Sequence, residues 1–338
     1  TLRSSGLAFS QPLTLAVGPY KESMRNLTIL SGAGINIGVS QACPFADEML
    51  NFSYQKISTN VYTRISPEIK ALFSPESFDY ILGGLLTVNL VIEKTKQDLK
   101  RFNMNEAAFA DLFRQSDLQS SIANALDQIE NQLTISLGQM LNVVTAFAPV
   151  LDAVIESYNS INYFTVNFDG IFDHILYGPR YARGRIVTDF WRGDGSLNKQ
   201  ANQKIKINHL HGDLRYKPYK KTQYNHPPYR WPVLVVGDQE VKKGLIAGQE
   251  SLRFYNNRLR AATDARDPGV TENVLAIIGF GFRDEDQHIV SRIKHAIANG
   301  VFDRILLFDI EDKLATVFQD HTWVNPNQEN LLAFLARL

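Results

Sequence analysis

Leu27-Thr28-Ile29-Leu30-Ser31-Gly32-Ala33-Gly34-Ile35-Asn36 is the stretch on which the fold reading turns. A short, non-alternating apolar run breaks into Gly-Ala-Gly, the pattern of a buried strand entering a tight turn. Two glycines permit backbone conformations closed to other residues, and amides in such a loop can face a phosphate with no side chain in the way. The dinucleotide fingerprint Gly-x-Gly-x-x-Gly is missed by one residue, because the third glycine falls at Gly38 instead of position 37. A plain strand-to-helix turn reads equally well from this stretch alone.

Further runs of the same kind follow: Tyr163–Val166, Ile205–Leu210, Val233–Val236, Val274–Ile278 and Ile305–Phe308. Such Val, Ile and Leu runs suit strands covered on both faces of a parallel sheet. Helical stretches are expected between several of them, at Gly170–Leu176, Gln239–Arg260 and Glu285–Ala298. Strand alternating with helix predicts an α/β, Rossmann-like doubly wound, mainly parallel sheet. Between Pro75 and Pro149 no proline occurs. There, apolar residues recur at helical spacing (Phe78, Ile81, Leu85, Val88, then Ile122, Leu126, Ile129, Leu133, Leu137). The organisation read from this is an N-terminal extension over 1–26, a sheet domain over 27–75 and 159–338, and a helical insert over 76–158. Two polar segments, 178–204 and 215–232, read as surface loops.

The totals narrow the function. Lys plus Arg and Asp plus Glu balance at 35 each among 338 residues, so no overall electrostatic footprint for nucleic acid stands out. Hydrophobic residues make up 44%, enough for a full core. With Cys43 as the single cysteine, an internal disulfide and a multi-cysteine zinc site are impossible. No apolar stretch is long enough for a membrane span, and a cytoplasmic location is expected. Thr1 in place of an initiator Met leaves room for a preceding piece, a removed signal peptide included.

Polar residues gather where the strands end, which is where open α/β sheets bind ligands. Asn167 and Asp169 follow one strand, though both could simply cap the next helix. His209-Leu210-His211-Gly212-Asp213 ends another; one histidine should face inward and the other outward, and Gly212 gives a ligand room beside His211. A structural histidine is the alternative there. A metal centre lacks accompanying ligands in the sequence, so none is expected. Gly279-Phe280-Gly281-Phe282 runs into Asp284-Glu285-Asp286, acids that suit a helix N-terminus. Asp286 reads as a cap, and His288 as a first-turn residue outside the chemistry. Asp309 follows the last strand and could accept from ribose hydroxyls or stand idle.

Taken in order, Gly-Ala-Gly-Ile-Asn, Asn-Phe-Asp, Leu-His-Gly and Gly-Phe-Gly-Phe-x-Asp-x-Asp-x-His-Ile resemble the sirtuin-like family, more closely its bacterial branch of NAD-consuming antiviral effectors than its protein deacylases. The resemblance spans 31–310, without the helical stretch. It implies that Gly32, Ala33, Gly34, Ile35 and Asn36 hold NAD around the pyrophosphate. It implies Asn167 and His211 as catalytic residues and Asp169 near the nicotinamide. Gly279 and Phe280 would lie along the adenosine half, and Asp309 near the adenine ribose. Two departures separate this chain from the deacylases. Their four-cysteine zinc module is absent, and Asn36 with Gly38-Val39-Ser40 replaces their Ser and Gly-Ile-Pro-Asp-Phe-Arg segment. Both favour water over a peptide as acceptor.

The expected activity is therefore an NAD glycohydrolase, releasing nicotinamide and ADP-ribose with NAD as substrate and no metal. By the resemblance, its setting is antiphage defence, as a homo-oligomer or beside a partner such as an ATPase or a nucleic-acid-guided protein. Two rival readings are a non-catalytic NAD or ADP-ribose sensor and an ADP-ribosyltransferase; hydride transfer ranks last.

Overall fold

The structure, a computed structural model, describes residues 24–43, 140–177, 204–213, 233–237, 239–316, 318 and 320–338. Strands β1 (Arg25–Ser31), β2 (Ser160–Thr165), β3 (Ile205–His209), β6 (Glu272–Ile278), β7 (Arg304–Phe308) and β8 (Thr322–Val324) form one sheet in the order β3-β2-β1-β6-β7-β8. Every pairing in it is parallel. Renumbered within this sheet the order is 3-2-1-4-5-6, the Rossmann arrangement, whose direction of winding reverses between β1 and β6.

Both faces are covered, which explains the unalternating apolar runs. On β6, Val274, Ala276 and Ile278 enter one core, where they meet Ile35 and Val39 of α1 (Gly34–Ala42), Phe147 and Leu151 of α2 (Met140–Ser157), Phe172 of α3 (Ile171–Tyr177) and Phe334 of α7 (Leu331–Leu335). Leu275 and Ile277 enter the opposite core, against Leu259 of α5 (Glu250–Asp264) and Ile289 and Ile293 of α6 (Gln287–Ala298). Successive side chains of a strand point to opposite faces, so one strand feeds two hydrophobic layers.

Several details differ from the sequence reading. Val233–Val236 is no member of the sheet: β5 (Val233–Leu234) pairs antiparallel with β4 (Gly212–Asp213) in a separate ribbon. The helix expected over Gln239–Arg260 is two, α4 (Gln239–Gly248) and α5, parted at Gln249, whose backbone is extended. Strand β8 carried no apolar run because Thr322 and Trp323 are exposed at the sheet edge. Of the extension over 1–26, only 24–26 are described, and Arg25 and Asn26 already belong to β1. The insert over 76–158 lies outside the described residues except for α2 and Tyr158. The loop at 215–232 lies wholly outside the described residues, and that at 178–204 does so except for Lys204. Among the described residues no helix is long and apolar enough to cross a membrane.

Candidate functional site at the sheet's reversal point

A cavity of about 550 Å³ opens beyond the carboxyl ends of the strands, at the reversal between β1 and β6. That volume falls in the ordinary range for small-molecule sites. Its wall includes Gly32, Ala33 and Gly34 after β1, Asn167 after β2, His211 after β3, Gly279 after β6 and Asp309 after β7. Five loops distant in sequence thus converge on one cleft.

The glycines are there for the backbone. Gly279 sits at φ +56, and a Cβ on it would lie 2.4 Å from the Gly34 Cα and 2.7 Å from the Ile35 nitrogen. A Cβ on Gly32 would meet the Gly279 carbonyl oxygen at 2.6 Å. The two loops flanking the reversal therefore touch backbone to backbone, which only glycine permits. Gly38 performs the close-packing task of the missing third glycine one residue late: a Cβ there would lie 3.1 Å from Phe308 and 3.2 Å from Leu331.

This intimacy changes the expected phosphate cradle. The amides of Gly34, Ile35 and Asn36 donate to the carbonyls of Gly279, Gly32 and Ala33. Ala33 makes no backbone N–H bond among the described residues and is exposed at the cavity wall. Four of the residues assigned to binding stand behind the wall. Ile35 is buried in the first core. Phe280 is fully buried in the second, its ring 5.0 Å from that of Phe282, because the turn at Gly279 rotates it inward. Asn36 donates through Nδ2 to Asp169 Oδ2 at 3.1 Å, and Asp169 Oδ1 accepts from the Ile171 amide at 3.0 Å at the start of α3. Asp169 thus does the capping work considered for it. Burial raises its carboxyl above the usual range; the Ile171 and Asn36 bonds oppose this, Asp173 adds to it, and His209 opposes it.

Asn167 is 6% exposed and held at three points. Its amide donates to Thr165 Oγ1 at 3.1 Å, its Nδ2 to the Gly32 carbonyl at 3.2 Å, and its own carbonyl accepts from His209 Nδ1 at 3.1 Å. Oδ1 is left as the side chain's uncommitted acceptor on the cavity wall.

His209, the last residue of β3, and His211 just beyond it turn different ways. His209 turns toward α3, where its Nε2 meets Asp173 Oδ2 at 2.9 Å. His211 lines the cavity, followed by Gly212 at φ +90, which turns the chain into β4. The His211 Nε2 atom is buried without a hydrogen-bond partner. Burial first, then the positive charge of Lys242, then His288, hold this imidazole well below its usual pKa, so it is neutral at pH 7. Its 3.4 Å approach to Asp286 Oδ1 is accordingly no ion pair at rest, although it would become one on protonation.

Sequence reasoning missed the acids and bases around His211. Asp286 is no side-chain cap: it accepts from Lys242 Nζ at 2.6 Å and lines the cavity. His288 places its ring 5.5 Å from that of His211, with both of its nitrogens unpartnered. The Asp-x-Asp-x-His spacing after the glycines was the available signal for these two, while nothing singled out Lys242 on α4. Asp309 is buried and accepts twice from Lys313 Nζ, at 3.1 Å each.

Two sets of side chains have possible ligand atoms within 4.8 Å of one another, His211 with Asp286 and His288, and His209 with Asp173 and Asp213. The first therefore corrects the sequence reading that nothing accompanies His211. In that set a cation would have to displace the Lys242 ammonium from Asp286. In the second, both nitrogens of His209 already lie within hydrogen-bond distance of protein groups, the Asn167 carbonyl and Asp173 Oδ2.

The chain matches no known protein family, and no curated protein matches it.

Proposed function

We propose that this chain hydrolyses NAD at the nicotinamide–ribose bond. The observation that carries the reading is that Asn167 and His211, 44 positions apart by their numbers, line the same cavity at the reversal point of a Rossmann sheet. The motif resemblance adds the substrate: a dinucleotide lying across the touching glycine loops, with its adenine ribose toward Asp309.

The chemistry asks little of the protein. Nicotinamide leaves from a cationic nitrogen as a neutral molecule, so the leaving group needs no acid, unlike an ordinary glycoside. As the C1′–N bond breaks, its electron pair goes to the nicotinamide ring. Water forms the new C1′–O bond, and its proton passes to the neutral Nε2 of His211. Asn167 Oδ1 accepts from the incoming water or a ribose hydroxyl and fixes its direction. The imidazolium that results gains Asp286 as counter-charge at 3.4 Å. A general base of this kind contributes about 10²–10⁴-fold. In the cell, the motif likeness favours an antiphage effector restrained by assembly or by a partner.

Incubation with NAD carrying label in the adenosine half tests the reading. Equimolar free nicotinamide and ADP-ribose are expected. Label on protein or nucleic acid would make the chain a transferase, and saturable binding without nicotinamide release would make it a sensor.

A further inference from the structure

His288 takes no part in the reaction described above, yet both of its ring nitrogens are buried without a hydrogen-bond partner, and His211 Nε2 is a third such atom. Buried polar atoms are paired as a rule, so three bare nitrogens in two neighbouring rings ask for a ligand. The ring centroids are 5.5 Å apart. Asp286 Oδ1 lies 3.4 Å from His211 Nε2, and one ligand atom from each of His211, Asp286 and His288 falls within 4.8 Å of the other two. Ligand atoms bound at about 2.1 Å to a tetrahedral zinc ion stand about 3.4 Å from one another, so the edge from His211 to Asp286 already has that length. Two imidazoles and a carboxylate are ligands that zinc takes, and three protein ligands leave a fourth position open. His211 and Asp286 both line the cavity, which gives such a position room. The wall already holds one cation here, the Lys242 ammonium on Asp286 at 2.6 Å. Lys242 also lines the cavity, and its flexible four-carbon stem lets the ammonium swing away.

We infer that His211, Asp286 and His288 form an inhibitory site for zinc or a similar divalent transition-metal ion, which displaces Lys242 and occupies the nitrogen that NAD cleavage needs. The inhibition rests on the hydrolase reading; the site itself rests on geometry alone. In hydrolysis the proton of the attacking water passes to His211 Nε2. A metal ion on that nitrogen takes the same lone pair, so metal and proton compete for one atom. His288, on the first turn of α6, serves the metal and not the reaction. Lys242 opposes entry twice over. It holds the carboxylate that the metal requires, and its charge repels a second cation nearby. It therefore sets the metal concentration at which the site fills.

Calorimetric titration of the full chain with Zn²⁺, and separately with Mg²⁺, tests this beside NAD turnover at the same metal concentrations. The wild type is expected to bind zinc and to lose nicotinamide release in step with occupancy. Mg²⁺ should do neither, because it prefers oxygen ligands in octahedral geometry. His288→Gln removes one ligand and leaves Asn167 and His211 in place. It should weaken zinc binding by at least the roughly tenfold that losing even an outer-shell partner costs. Its turnover without metal should stay within a few-fold of wild type. Lys242→Met should tighten zinc binding and lower the zinc concentration that halves turnover. A wild type that binds no zinc overturns the site, and so does an unchanged affinity in His288→Gln, since the ion then sits elsewhere. Unchanged or weaker binding in folded Lys242→Met overturns the displacement of the lysine. Turnover that stays level or rises with zinc bound overturns the inhibition. If the wild type releases no nicotinamide, the hydrolase reading fails, and the inhibition with it; calorimetry on wild type and His288→Gln then decides the metal site separately.

Discussion

Lys242 and Asp286 form a buried ion pair, Nζ to Oδ1 2.6 Å, on the wall of the cavity and beside the unpartnered nitrogen of His211. Removing one member of a buried pair leaves the other charge uncompensated, at a cost of about 3–5 kcal/mol. Lys242→Met is therefore expected to lower the unfolding free energy by a few kcal/mol, read from urea denaturation. Lys242→Met/Asp286→Asn should recover most of that loss. The single variant should also raise the pKa of His211, because the Lys242 charge helps hold it down. Histidine NMR titration reads this shift, and an unchanged or lower value would contradict the electrostatic account of the wall.

The backbone contact between the two glycine loops is open to a one-methyl test. Gly279→Ala would place a Cβ 2.4–2.7 Å from Gly34 and Ile35 at a φ of +56. Overpacking costs about 1–3 kcal/mol, and the left-handed backbone adds about 1 kcal/mol. Calorimetry is expected to record a clear drop in Tm, together with weakened NAD binding, because the loops that shape the cavity must part.

His211 and His288 titrate far from their usual values, His288 at about 4, because burial disfavours their charged forms. The unfolded chain holds protons on both near 6.5, so below that value it binds more protons than the folded chain. Stability is thus fully present above pH 6.5 and falls as the pH drops toward about 4. Each histidine contributes up to about 1.4 kcal/mol per pH unit inside its window. The same depression predicts that kcat/KM for NAD stays level well below pH 6.5 on the acid side. A base of ordinary histidine pKa would instead lose half its activity by pH 6.5 and most of it a unit below. Chemical denaturation and initial rates across this range check the two statements separately.

Asp309 tests the adenosine end. Its carboxylate is held by two contacts from Lys313 and lies at the cavity wall, far along the sheet from Asn167. Asp309→Asn is expected to raise KM for NAD several-fold with kcat little changed, the signature of lost uniform binding. A fall in kcat at constant KM would place Asp309 in the chemistry instead.

The sheet was legible because double coverage writes itself into the sequence as short runs rich in apolar residues, with little alternation, each ending in glycine or a polar residue. Ser31-Gly32 and Ile278-Gly279 show this on the two strands flanking the reversal. The short edge strand at Thr322–Val324 escaped because an exposed edge leaves no apolar run. Phe280 was misplaced along a ligand because sequence spacing cannot say which way a residue turns after a glycine of positive φ; the coordinates turn it into the core. Asp286 looked like a complement to the helix dipole, since three acids before a helix are adequately explained that way. Its partner Lys242 sits 44 positions earlier, and only packing brings them together. His209 and His211 differ in role for a similarly local reason: they lie two residues apart, yet the first is the last residue of a strand and the second lies in the turn that follows it.

NAD turnover by the wild type beside Asn167→Ala and His211→Ala is the most direct measurement of the central claim. Both variants are expected to keep the wild-type far-ultraviolet circular dichroism and measurable NAD binding, and to lose on the order of 10²-fold or more in nicotinamide release. Wild-type rates in either folded variant would contradict the assignment of the cleavage chemistry to these two side chains.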